Sequence, residues 1–176
     1  TKSTCVPASR IASGSPQRRE LLRSHGYDFT VVVPHEPEPC GLCSGESPPE
    51  FVSRVALHKA KCVADQIVAG AIDGGIVVAC DTVAEWGGQI LGKPVDEHHA
   101  RRMLETLRGR RHHVYSGLCV WPVPDGEPDV RAARTVLEMD RLVESDVDEY
   151  LASGEWEGKA GAFGYQDGPC HRHTPQ

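Results

Sequence analysis

Ile76-Val77-Val78-Ala79-Cys80 runs directly into Asp81 and Thr82. Five apolar residues without alternation read as a strand buried on both faces, the habit of inner strands in an α/β sheet. Upstream, Ser47-Pro48-Pro49-Glu50 has the form of a capping box with proline at the first helical position. A long amphipathic helix is expected to follow it, because Val52, Val55, Ala56, Ala60, Val63 and Ile67 recur at intervals of three and four. Downstream, Gly87-Gly88 predicts a hairpin that returns through Leu91, and Asp96 can cap a helix carrying Ala100, Met103, Leu104 and Leu107 that stops at Gly109.

The pattern continues to both ends. A short apolar element finishes near Ile11-Ala12, and Ser15-Pro16 starts a helix to about His25, stopped by Gly26. Tyr27 to Val33 reads as a strand, and residues 34–46 as a loop rich in Pro, Glu, Cys and Gly. Residues 113–121 and 134–142 are further strand candidates, with a turn-rich loop at 122–128 between them. Ser145 begins a short helix that ends before Gly154. Strands alternating with helices point to an α/β fold with a mixed, twisted sheet flanked by helices.

The length of 176 residues suits one domain, with room for two lobes. Hydrophobic residues are 39% and charged residues 25%, so a normal core is available. The net charge of −6 argues against a nucleic-acid polymer as partner, because such binders carry a basic face. A small phosphate ligand needs only a few local cations. No apolar stretch has the length of a membrane span or the form of a secretory signal. The seven cysteines follow no regular spacing, and Cys80 and Cys119 sit in apolar runs as small hydrophobes. A reducing, cytoplasmic location is therefore expected, with no membrane partner.

Several polar residues stand where burial is expected. Lys59 falls within the apolar stripe of the long helix. It is either a side chain snorkelling from the stripe's edge, or a lysine aimed into a cleft toward an anion. Asp81 closes the buried run, and ligands of α/β sheets gather beyond the carboxyl ends of strands. A carboxylate there can hold a metal or activate water, or simply bond turn amides. Ser15, Arg18 and Arg19 occupy the first turn of their helix. Cations there oppose the helix dipole, so either an anion sits beside them and neutralises them, or they form an ordinary solvated face. Lys93, in a rigid Gly-Lys-Pro turn, and Lys159, in a flexible glycine loop, are equally compatible with a ligand or with the surface. Cys40-Gly-Leu-Cys43 lacks the second ligand pair of a structural zinc site. His98-His99 and His112-His113 are adjacent residues, not ligands one helical turn apart.

Taken in order, the motifs resemble those of the Maf family. Ala12-Ser13-Gly14-Ser15-Pro16-Gln17-Arg18-Arg19-Glu20-Leu21-Leu22 resembles the family's opening motif. Phe51 to Lys61, FVSRVALHKAK, is similar to its second. Cys80-Asp81-Thr82-Val83 with Ile90-Leu91-Gly92-Lys93-Pro94 is similar to its third. Ser153-Gly154-Glu155 with Gly158 to Gln166 resembles its last. Residues 1–176 are then read as one Maf-like domain. The strand and helix with which the family continues are expected to be missing after about residue 166, and Gln17 stands where the family carries an arginine.

The resemblance implies a Maf/ITPase-like fold with two lobes around a cleft, often as a homodimer. It implies hydrolysis of nucleoside triphosphates to monophosphate and pyrophosphate with a divalent cation, Mg²⁺ or Mn²⁺. Catalytic roles fall on Asp81, Glu38, Lys59 and Lys93, with Glu38 and Asp81 as metal ligands and Glu36 as the alternative to Glu38. Ser15, Arg18, Thr82, Lys159 and Gln166 fall on the substrate. The Asp81-Thr82 pair with Gln166 resembles the branch acting on dTTP and UTP. The alternatives are the branch acting on 7-methyl-GTP, which has Asp-Gln in that position, and a non-catalytic regulator of septum formation.

Overall fold

The computed structural model describes residues 9–35, 41, 43 and 45–164. Among these, six strands and four helices alternate: β1 (Ser9–Ala12), α1 (Pro16–Ser24), β2 (Phe29–Val31), α2 (Pro48–Val68), β3 (Gly75–Trp86), β4 (Gln89–Leu91), α3 (Glu97–Leu107), β5 (Arg111–Val123), β6 (Asp129–Glu138) and α4 (Glu144–Ala152). A short 3₁₀ turn follows at Ala160–Ala162. The strands form one mixed sheet in the order β2-β1-β3-β5-β6, with β4 paired to β3. β1 is parallel to both β2 and β3, whereas β3 and β4 form an antiparallel hairpin. The expectation of a mixed α/β sheet therefore holds.

The helix starts are local in origin. Ser15 caps α1, its hydroxyl accepting from the Arg18 N–H, and Pro16 fills the first helical position. Glu50 reaches back to the Ser47 N–H at 2.8 Å, fixing the start of α2. Asp96 accepts from the His99 N–H at 2.6 Å and starts α3. Asp146 bonds the Val143 N–H at 3.0 Å, so α4 begins at Glu144, one residue before the expected Ser145.

The chain divides into two compact units. The first comprises residues 1–81 and 117–132, and its core is formed by Ala12, Ala56, Ala60, Val63, Val77, Ala79 and Cys119. These are the stripe of α2 and alternate residues of β3, with Ala12 of β1 and Cys119 of β5; Ile76, Val78 and Cys80 on the other face of β3 are only half-buried, so the run is not buried on both faces as its lack of alternation suggested. α2 lies so close to β5 that a Cβ on Gly117 would meet the Val52 carbonyl oxygen at 2.2 Å. The second comprises residues 82–116 and 133–176. Its core joins Ala84 and Leu91 to Met103, Leu104 and Leu107 of α3, and to Val147, Tyr150 and Leu151 of α4.

Three further expectations need correction. The strand through 76–80 does not end at Asp81. It continues to Trp86, because Thr82, Val83 and Ala84 extend the β-compatible run and pairing with β4 holds its far end. The last strand occupies Asp129–Glu138 rather than 134–142. The segment around Lys159 is not a flexible loop. Residues 160–162 make an ordered turn, with the Gly161 N–H donating to the Gly92 carbonyl at 2.9 Å. Gly161 has φ +69°, and a Cβ there would meet the Ala84 Cβ at 3.0 Å, so only glycine suits this position.

Candidate active site

In the first unit, α2 and β3 bring Lys59 and Asp81 together. Both are only 8% exposed, and Lys59 Nζ donates to Asp81 Oδ1 at 2.7 Å. Lys59 sits on α2 among Val55, Ala56, Ala60 and Val63, all buried. It does not snorkel to water. The charge is accommodated because a carboxylate meets it across the helix–sheet interface. Asp81 lies inside β3 and is no turn residue.

The opening motif converges on the same strand. The Arg18 guanidinium Nη1 donates to the Cys80 carbonyl at 2.8 Å and to Ser13 Oγ at 3.3 Å. Ser13, itself buried, also accepts from the Ser15 N–H at 3.2 Å. Ser15 Oγ donates to Gln17 Oε1 at 3.0 Å. Arg18 is thus tied to the backbone immediately before Asp81, and Arg19 bonds the Gly14 carbonyl at 3.2 Å. The two cations in the first turn are held by protein carbonyls, which offsets part of their conflict with the helix dipole.

In the second unit, Thr82 Oγ1 and Ser116 Oγ lie 3.0 Å apart on the neighbouring strands β3 and β5. Lys93 is exposed, directly after Gly92, whose carbonyl holds Gly161. The Lys159 side chain runs across Gly164, where a Cβ would meet its Nζ at 2.5 Å. The turn containing Lys159 and the segment containing Lys93 are therefore tied together by one backbone bond. Glu36, Glu38, Cys40, Gln166 and the tail after Gly164 lie outside the described residues.

Electrostatics elsewhere is local. The Arg54 guanidinium, bonding Glu46 at 2.6 and 2.8 Å, holds its carboxyl down to about 2. Burial pushes the Cys119 thiol up to about 11, with the Asp129 charge adding to it, so this cysteine packs as a hydrophobe. Cys80 is only half-buried. Burial lowers the His112 imidazole below its ordinary value.

A divalent cation such as Mg²⁺ asks for hard oxygen donors, typically one or two carboxylates, with waters and substrate phosphates completing the shell. Asp81 supplies one carboxylate, with Oδ1 already engaged by Lys59. Among the described residues no group of three or more His, Cys, Asp or Glu converges. The single Asp81 carboxylate fits a cation whose other ligands include waters and phosphate oxygens. Sequence reading missed Ser13 and Ser116. Ser13 was signalled only by its place in the opening motif, and Ser116 by nothing local.

Residues 10–171 match the family described as Maf-like protein, so this chain, with its buried Lys59–Asp81 pair, belongs to the Maf family. The chain is 48% identical over 158 residues to the dTTP/UTP pyrophosphatase of Rhodopirellula baltica, covering 90% of this chain and 67% of that protein. It is 42% identical over 161 residues to the dTTP/UTP pyrophosphatase of Sphingopyxis alaskensis, covering 92% and 80%. It is 39% identical over 156 residues to that of Dictyoglomus thermophilum, covering 89% and 78%. No helix among the described residues is long and apolar enough to cross a membrane.

Proposed function

We propose that this protein hydrolyses nucleoside triphosphates, dTTP and UTP foremost, to the monophosphate and pyrophosphate. The observation that carries the reading is the buried Lys59–Asp81 pair at 2.7 Å, in a chain whose relatives bear that activity in their names. In the reaction a water oxygen attacks the α-phosphorus, the bond from that phosphorus to the bridging oxygen breaks, and pyrophosphate departs. Such reactions are accelerated by positioning and by cations that meet the charge of the phosphates.

Asp81 orients the attacking water and accepts its proton, and with Glu38 it would hold Mg²⁺ or Mn²⁺. The bound cation would neutralise phosphate charge and acidify the water. Lys59 fixes the Asp81 carboxylate by its bond to Oδ1. Arg18, Lys93 and Lys159 meet the phosphate oxygens, with Ser15 as a hydroxyl donor. Thr82 and Gln166 read the base edge. The protein works in the cytoplasm, as a homodimer.

The test is a nucleotide panel with Mg²⁺ or Mn²⁺ and chromatographic separation of products. Monophosphate plus pyrophosphate, fastest from dTTP and UTP and slower from CTP, is expected. Equal or faster turnover of 7-methyl-GTP would overturn the substrate assignment. A folded protein without turnover on any triphosphate would overturn the enzyme reading in favour of a binding role.

A further inference from the structure

We infer that Gly164 is a positioning residue for Lys159: its missing side chain is what lets the lysine stem lie flat and present its ammonium to a phosphate oxygen. The inference rests on the reading of Lys159 as a phosphate-binding cation and deepens it.

A Cβ on Gly164 would meet Lys159 Nζ at 2.5 Å, and its Cδ and Cε at 2.7 Å each. All three obstacles belong to one flexible side chain. At Gly117 and Gly126 the obstacle includes backbone, whereas Gly26, Gly45 and Gly70 are left-handed with nothing near them. Gly164 is not left-handed, so its own backbone does not ask for glycine. The Lys159 side chain, half-buried where it crosses, is what asks for it.

Both ends of this contact are held. Lys159 stands immediately before the turn, and its carbonyl accepts from the Ala162 N–H at 3.1 Å. Gly161 and Ala162 are both left-handed, at φ +69° and +61°, which reverses the chain and carries Gly164 under the lysine. Ala162 is fully buried in the core of this unit, and the Phe163 ring lies against Tyr150 of α4 with centroids 5.4 Å apart. The Tyr150 hydroxyl accepts from the Gly164 N–H at 3.4 Å. The floor therefore does not drop away when something is placed on it. Ordinary carbon–carbon contact is about 3.5–4.0 Å, so an added methyl pushes the stem aside by roughly 1 Å. A free lysine stem has many rotamers, and fixing it on binding opposes affinity. A stem already laid on a floor has part of that cost removed.

The experiment measures melting temperature and kcat/KM for dTTP, UTP and CTP with Gly164→Ala, Lys159→Met and the double variant. Lys159→Met keeps most of the stem and removes the ammonium. Gly164→Ala is expected to melt within about 2 °C of wild type, since the atoms that must move are those of one side chain. Its kcat/KM should fall about 10–100-fold, the worth of a hydrogen bond from a charged donor set out of place. The factor should be the same on all three nucleotides, because the phosphates are common to them. In the Lys159→Met background, Gly164→Ala should leave kcat/KM unchanged. An unchanged kcat/KM in Gly164→Ala, a loss that persists in the Lys159→Met background, a shift in the ratio among the nucleotides, or a loss matched by a drop in folded protein would each overturn the inference. Lys159→Met alone separates it from the reading beneath. If that variant is neutral, or wild type turns over none of the three, the phosphate role of Lys159 falls and the inference with it. If Lys159→Met is impaired and Gly164→Ala is neutral, only the Gly164 role falls.

Discussion

Asp81→Asn separates the chemistry of the buried pair from its contribution to folding. Asn keeps the size of the side chain and an oxygen that can still accept from Lys59 Nζ, now 2.7 Å from Oδ1. What it removes is the negative charge. Both partners are 8% exposed, so Lys59 is left as a buried cation facing a neutral amide. Breaking a buried pair costs about 3–5 kcal/mol, and the retained hydrogen bond sets this variant near about 3 kcal/mol. At roughly 2–4 °C per kcal/mol for a chain of this size, the melting temperature should fall by about 6–12 °C. The rate should fall much further. Loss of a general base alone is worth about 10²–10⁴-fold, and lost metal affinity adds to it. The assay is turnover with saturating dTTP and Mn²⁺ at a temperature where the melting curve shows the variant folded. The companion Lys59→Ala leaves a bare buried carboxylate, so it should melt lower than Asp81→Asn, yet lose rate as well when kept cold. Near-normal turnover in folded Asp81→Asn would refute the reasoning. The pair would then be a structural clasp between α2 and β3, and the active site would lie elsewhere.

Gly117→Ala should destabilise by at least about 3 kcal/mol, read as a lower denaturant midpoint, because its Cβ would meet the Val52 carbonyl oxygen at 2.2 Å and helix backbone cannot rotate away. A midpoint near wild type would refute this close approach of β5 to the start of α2. Stability should also fall on acidification. Burial depresses the His112 pKa in the folded state, so the unfolded chain binds the extra proton first. This contribution is fully present above about pH 6.5 and is lost as pH drops below that. His112→Leu should therefore flatten the stability difference between pH 7.5 and 5.5 measured by urea unfolding, and an unchanged difference would assign the slope to other groups.

Much of this protein is local enough to read directly. The caps at Ser15, Ser47 and Asp96, the three-and-four spacing of α2, and the unbroken run Ile76–Cys80 each depend on neighbours within a few residues, and each produces its element at nearly the expected place. The charged motif residues were legible too, since Lys59 breaks an apolar stripe and Asp81 closes an apolar run. What each of them meets was not legible. Whether Lys59 snorkels or is buried depends on a carboxylate 22 positions away, brought opposite by the packing of α2 on β3. Arg18 reaches the Cys80 carbonyl across 62 positions for the same kind of reason. The extension of β3 to Trp86 depends on pairing with β4, and the ordered turn at Lys159 on the distant Gly92 carbonyl. Ser116 gave no sign of its own, because a serine in a strand acquires meaning only from the hydroxyl on the strand beside it. Caps and periodicity are properties of a short piece of chain, so sequence determines them. Partners across a sheet or between a helix and a strand exist only once the chain is folded, and these are what tertiary structure alone decided.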